Sequence, residues 1–230
     1  MSTVTSNTYP LPAERTVIAA AEQLMRDAMA HNDPSHDALH VFRVRHTALA
    51  LARAQPEGTV DLLVVDLAAL LHDILDRKYL PKDAVTTDPR QHFAPFFASH
   101  ADALSPAQAE LVVRVIDNMS WTTEKKLRAA GQWGEWHDSC LELHCVQDAD
   151  RLDAIGAIGV MRCAAYSARV NGPLYVPPEQ PEAAESAIQH FHDKLVHIRD
   201  RLKTQRGKEL GEQRHRFLLD FLRQVDIECL

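Results

Sequence analysis

Apolar residues recur at intervals of three and four along most of the chain. Residues 13–31 place Val17, Ile18, Ala21, Leu24, Met25 and Met29 on one stripe, the spacing of an amphipathic helix. Asn32-Asp33-Pro34-Ser35 breaks that run, and Ser35 is a suitable cap for the next. A second helix is predicted over about 36–54, with Leu39, Val41, Phe42, Val44 and Leu49 set among His36, His40, Arg43 and His46. Gln55-Pro56-Glu57-Gly58 ends it, since Pro and Gly both disfavour continuation. Residues 60–75 are apolar nearly all round and predict a central, buried helix.

Beyond it, a connection from Lys78 to about Pro89 is long enough to suggest a functional loop. Helical spacing returns at 91–100, with Phe93, Phe96 and Phe97, and after Ser105-Pro106, where Pro in the first turn marks a start that runs to Met119. Residues 121–134 read as an irregular insert, and Trp121, Trp133 and Trp136 suggest a lid or a dimer contact there. Residues 136–168 form an apolar stretch with acidic interruptions. Two last helices, 181–204 and 208–227, are separated by Gly207. No strand-period alternation and no βαβ succession occurs, so the prediction is an all-α, single-domain helical bundle over 13–230 behind a disordered leader, 1–12.

Composition narrows the function classes. Hydrophobic residues make up 46% of the 230, enough for a sizeable core. The net charge of −7 argues against a nucleic-acid partner. An acidic protein that handles phosphates needs a metal ion or local cations. Four cysteines without a CxxC pair suit a reducing, cytoplasmic setting. No apolar run approaches the roughly 18 residues of a membrane span.

The chemistry gathers at three places: His40, the doublet His72-Asp73, and Asp148, Asp150 and Asp153. An ionised Asp beside a His on an apolar helix is costly to bury unless a divalent ion compensates it. A surface pair or cap is the plain alternative. Two His and two Asp with water at the remaining positions suit hydrolytic catalysis, but spacing does not show that they meet.

The ordered set Ser35-His36-Asp37-x-x-His40-x-x-Arg43-Val44, Leu70-Leu71-His72-Asp73-Ile74 with Asp76-x-Lys78-Tyr79, and Asp148-Ala149-Asp150-Arg151-Leu152-Asp153-Ala154-Ile155-Gly156 resembles the HD-domain phosphohydrolase superfamily. It is similar to a branch of small manganese-dependent nucleotide pyrophosphohydrolases. The resemblance spans about residues 15–225 and implies one divalent ion on His40, His72, Asp73 and Asp150. Manganese is the first choice, with Mg, Fe, Co, Ni or Zn as the others. Asp148 is the competing last ligand.

The resemblance implies Asp76 as the catalytic carboxylate that manages protons, its alternative being a cap or a partner for Lys78. His36, Lys78 and Lys194 are the implied substrate contacts. Arg214 and His215 also match, and either reach the site or brace it. The implied activity is hydrolysis of nucleotides, a nucleoside triphosphate yielding monophosphate and pyrophosphate, by a possible homodimer. Two rivals stand beside it: a di-iron oxygenase drawing further ligands from His92, His100 or His144, and a non-catalytic nucleotide sensor.

Overall fold

The computed structural model describes residues 9–76, 79–80 and 88–229. Eleven α-helices are placed among the described residues: α1 (Pro12–Ala28), α2 (Ala38–Arg53), α3 (Leu62–Leu71), α4 (Pro89–Ala98), α5 (Pro106–Asn118), α6 (Trp121–Ala129), α7 (Glu135–Ser139), α8 (Leu141–Asp153), α9 (Gly156–Arg169), α10 (Ala187–Asp193) and α11 (Gln205–Cys229). Short 3-10 turns occupy Pro181–Glu185, Leu195–His197 and Arg199–Arg201. No strand occurs among the described residues, and the fold is all-α. No helix among them is long and apolar enough to cross a membrane.

α3 is the axis of the packing. Every residue from Leu63 to Leu71 is buried, as an apolar helix without a polar face requires. It packs against α1, α2, α5 and α8, and α2 packs in turn on α8. Asp61 fixes the start of α3 by accepting from the amides of Leu63 (3.0 Å) and Val64 (3.2 Å), two donors the helix itself leaves unpaired. The one acidic residue inside α3, Asp66, is buried but paired with Arg45 and accepts from the Tyr9 hydroxyl at 2.5 Å. Such pairing is what makes a charge tolerable at that depth. It also pins the described part of the predicted leader onto the bundle; residues 1–8 of that leader lie outside the described residues.

Several boundaries differ from the sequence reading. The central helix ends at Leu71, so His72 and Asp73 sit in the turn beyond it. The stretch 136–168 divides into α7, α8 and α9. Its last break falls at Gly156, whose φ of +75° suits glycine and whose missing side chain leaves room for the Arg214 stem. The predicted helix 181–204 is α10 flanked by 3-10 turns, and Leu195, Ile198 and Leu202 bury one after another as the chain winds back toward α11.

Gly207 lies inside the first turn of α11 rather than between helices. A Cβ there would come within 2.5 Å of both Asp148 Oδ2 and Thr204 Oγ1. The supposed irregular insert contains α6, started by Ser120, whose hydroxyl accepts from the Thr123 amide at 3.0 Å. The three tryptophans in and just after it lie against cations of their own chain: Trp121 under Arg201 and Arg151, Trp133 under Arg128 and Lys203, Trp136 under Arg114 at 3.8 Å.

Candidate metal centre

Three helix ends bring the metal-type residues together. Asp37 caps α2 by accepting from the His40 amide at 2.9 Å, which fixes the turn that carries the fully buried His40. At the end of α3, the His72 Nδ1–H donates to the Ala69 carbonyl at 2.8 Å and so leaves the Nε2 lone pair facing the site. Asp150 comes from the last turn of α8.

His40 Nε2 lies 3.2 Å from Asp73 Oδ2 and 3.6 Å from Asp150 Oδ1, and His72 Nε2 lies 3.3 Å from the same Asp73 oxygen. One ligand atom each from His40, His72 and Asp150 falls within 4.8 Å of the others. Despite this proximity neither imidazole Nε2 has a hydrogen-bond partner, and both atoms are buried. Buried polar atoms are nearly always paired. Two orphaned lone pairs beside two carboxylates are the donor set a divalent cation satisfies, and they fit imidazole- and carboxylate-loving metals.

The electrostatics agree. Burial alone pushes the Asp73 carboxyl up, but the His72 and His40 imidazoles outweigh it and hold it well below the usual carboxylate range. Burial lowers His72, and the carboxylates of Asp73 and Asp150 overcome that and carry it to about 9. The point where these groups face one another therefore favours positive charge.

Asp153, one turn beyond Asp150, does not face that point. Its Oδ2 lies 2.7 Å from His40 Nδ1; Arg43 donates to it from Nε (2.8 Å) and Nη2 (3.0 Å), and Arg162 Nη1 stands at 3.3 Å. Arg162 also donates from Nε to the Ser35 carbonyl at 2.7 Å. Sequence reading had grouped Asp153 with the other two aspartates without a role, and had no signal for Arg162.

Asp148 is elsewhere. It accepts from the Lys203 amide (3.0 Å), the Thr204 amide (2.7 Å) and the Thr204 hydroxyl (2.8 Å), at the start of α11.

His36 lies beside the cluster, its ring 5.8 Å from that of His40. Its Nδ1 is 2.9 Å from the Ser35 hydroxyl and 3.0 Å from the Tyr79 hydroxyl, and Tyr79 donates to Asp33 at 2.7 Å. Tyr166, 6.1 Å from His36, completes an aromatic wall that sequence reading missed. Asp76 is half-buried in the tight turn after the doublet, its amide donating to the Asp73 carbonyl at 3.1 Å. Lys78 lies outside the described residues.

Lys194 ends α10 beside Cys163 of α9, whose thiol feels its charge. Arg214 reaches the Leu152 carbonyl at the end of α8 and braces it. His215 faces the other way, into a cavity of about 450 Å³ with His192, His197, Arg199 and Arg223, where Arg199 and Arg223 are already paired with Glu212 and Asp220.

A second metal lacks ligands among the described residues, where no other group of three metal-type side chains converges. His92 packs on Phe93, His100 on Phe96, and His144 Nε2 is 2.8 Å from the His137 carbonyl.

No protein-family model matches the chain. The uncharacterised protein YpgQ of Bacillus subtilis is 31% identical over 209 residues, covering 90% of this chain and 92% of YpgQ. The crystal structure of YpgQ in complex with ADP superposes with a TM-score of 0.71 at 27% identity, covering 94% of this chain and 96% of that one. A crystal structure of an HD-superfamily hydrolase from Bacillus thuringiensis superposes with a TM-score of 0.68 at 25% identity, covering 94% and 97%. The likeness extends over nearly the whole of each chain, and the paired histidines and aspartates stand where three helices of that fold converge: this chain belongs to the HD-domain phosphohydrolase superfamily.

Proposed function

We propose that the protein is a metal-dependent phosphohydrolase of nucleotides, cleaving a nucleoside triphosphate to monophosphate and pyrophosphate. The observation that carries the reading is the pair of buried, unpartnered imidazole nitrogens of His40 and His72 beside Asp73 and Asp150. These four residues would hold one divalent cation, manganese first among the candidates. When bound, such an ion lowers the pKa of a water and polarises a phosphoryl oxygen.

The rest falls to the chain's own groups. Asp73, kept ionised by its two imidazoles, supplies negative charge at the site throughout. Asp150, its side chain 31% exposed, stands at the open side, where a substrate enters. His36, steadied at Nδ1 by Ser35 and Tyr79, is oriented to meet a phosphate oxygen. Asp76, in the turn after the doublet, would pass a proton to the leaving oxygen. Lys78 and Lys194 would offset phosphate charge. The nucleotide substrate is supported by the ADP held in the YpgQ crystal structure.

The test is a panel of nucleoside mono-, di- and triphosphates incubated with the purified protein and Mn, with products separated by chromatography. Monophosphate plus pyrophosphate from a triphosphate, abolished by chelation and by Asp73→Ala, is the expected result. No product above the Asp73→Ala control with any nucleotide would refute the enzyme and favour a nucleotide sensor.

A further inference from the structure

We infer that Asp153, anchored by Arg43 and Arg162, is the positioning residue that fixes His40 as an Nε2 metal ligand. The inference rests on the metal centre proposed above and adds a residue to which that reading assigned no part.

An imidazole can present a lone pair at one nitrogen only, and the other nitrogen's hydrogen bond decides which. For His72 the Ala69 carbonyl decides it. A carbonyl accepts and cannot donate, so the proton stays on Nδ1. His40 has no such carbonyl. Its Nδ1 faces the Asp153 carboxylate at 2.7 Å, and Asp153 is itself buried.

A buried carboxylate holds this role only if it stays ionised and still. Asp153 is met by two guanidiniums, which compensate its charge at that depth. Two arginines from different elements fix its position. Arg43 lies one turn after His40 on α2 and grips both oxygens, and Arg162 comes from α9. Arg162 is also tied to the Ser35 carbonyl just before α2, so α2, α8 and α9 are locked where His40 enters the site. With the Nδ1 proton given to Asp153, the Nε2 lone pair points at Asp73 and Asp150, where it has no other partner. Residues that orient a metal-binding imidazole in this way typically change metal affinity by about 10- to 100-fold when replaced.

The alternative is that Asp153 merely braces three helices. Two variants separate the roles. Asp153→Asn keeps the shape but loses the charge that holds the His40 proton and the arginines. Arg43→Gln keeps the Asp153 carboxylate and Arg162 and removes one of its two anchors. The first readout is metal affinity, by competition of Mn and Zn against a chelating dye. The second is ¹⁵N–¹H NMR of the His40 ring in the Zn-loaded wild-type protein.

The expected result is a Kd weakened by about 10-fold or more in Asp153→Asn, a smaller loss in Arg43→Gln, where Arg162 still holds the carboxylate, and a His40 proton on Nδ1 in slow exchange. Asp153→Asn binding metal as tightly as wild type, or His40 ligating through Nδ1, would overturn the inference while leaving the metal centre intact. Wild-type protein that binds no divalent ion would overturn both. The NMR result stands whether or not the variant folds.

Discussion

Asp148 and Asp150 lie two residues apart on α8 and so face roughly opposite sides of the helix. Asp148 is fully buried, and its oxygens accept from the Lys203 amide, the Thr204 amide and the Thr204 hydroxyl. It sits at the positive end of α11, where orphan amides and the helix dipole both favour an anion. Asp150 is partly open, and what it faces is an imidazole nitrogen with nothing to bind. Burial alone ranks Asp148 first as a site residue. The census of unpaired donors and acceptors ranks Asp150 first. A buried carboxylate whose oxygens are already saturated by its own chain is structural; one that shares a pocket with orphaned lone pairs is a candidate ligand.

The same distinction holds on a larger scale between two sides of the last turn of α8. Near α6, the buried Glu124 is shared by Arg151 at 2.5 Å, Arg128 at 2.8 Å, Lys203 at 3.1 Å and Arg201 at 3.4 Å. That side of the helix is a closed ionic knot. The other side, with His40, His72, Asp73 and Asp150, keeps two buried imidazole nitrogens without a hydrogen-bond partner.

The closed side should fail as structure. Glu124→Ala strands Arg151, a buried cation, and should cost about 3–5 kcal/mol in urea denaturation. Asp148→Ala leaves the Lys203 and Thr204 donors unpaired at the head of α11 and should cost roughly 3 kcal/mol. Metal affinity of the folded fraction should be unchanged; a large loss of affinity would make Asp148 the ligand and break the comparison. Gly207→Ala puts a methyl group against Asp148 and Thr204 and should cost about 1–3 kcal/mol as an overpacked contact. A neutral effect there would mean that the α8–α11 junction yields easily.

The finest test is pH. Burial raises Glu124, but Arg151, Arg128 and Lys203 outweigh it and hold it at about 2. A depressed carboxylate stabilises the fold fully above its unfolded value of 4.5, and the contribution is lost as pH falls toward 2. The stability gap between wild type and Glu124→Gln should therefore narrow steadily over that window. A gap independent of pH would mean that the knot does not hold Glu124 ionised.

How much of this the sequence disclosed depends on the range of the forces involved. Caps and apolar stripes are local, and Ser105-Pro106 and the stripe of α1 could be read directly, although the cap of α2 is Asp37 rather than the expected Ser35. The His72-Asp73 doublet was legible as chemistry but not as geometry: the helix was read on to residue 75, whereas the doublet occupies the turn past Leu71. Long-range packing was not legible. Gly207 looked like a helix separator because its purpose, clearance for Asp148, lies 59 residues away in the chain. The 3-10 turns after α10 keep helical spacing of apolar residues, so periodicity alone reads them as one helix. Arg162 and Tyr166 gave no signal because an isolated arginine or tyrosine on a helix is ordinary; only their approach to Ser35, Asp153 and His36 distinguishes them.

Metal stoichiometry and affinity, measured by titrating Mn into metal-stripped protein, reach the central claim most directly. One ion per chain, bound by wild type and by Asp148→Asn but not by Asp73→Ala, is the predicted outcome. No bound ion in wild type, or binding that survives Asp73→Ala and disappears with Asp148→Asn, would contradict it.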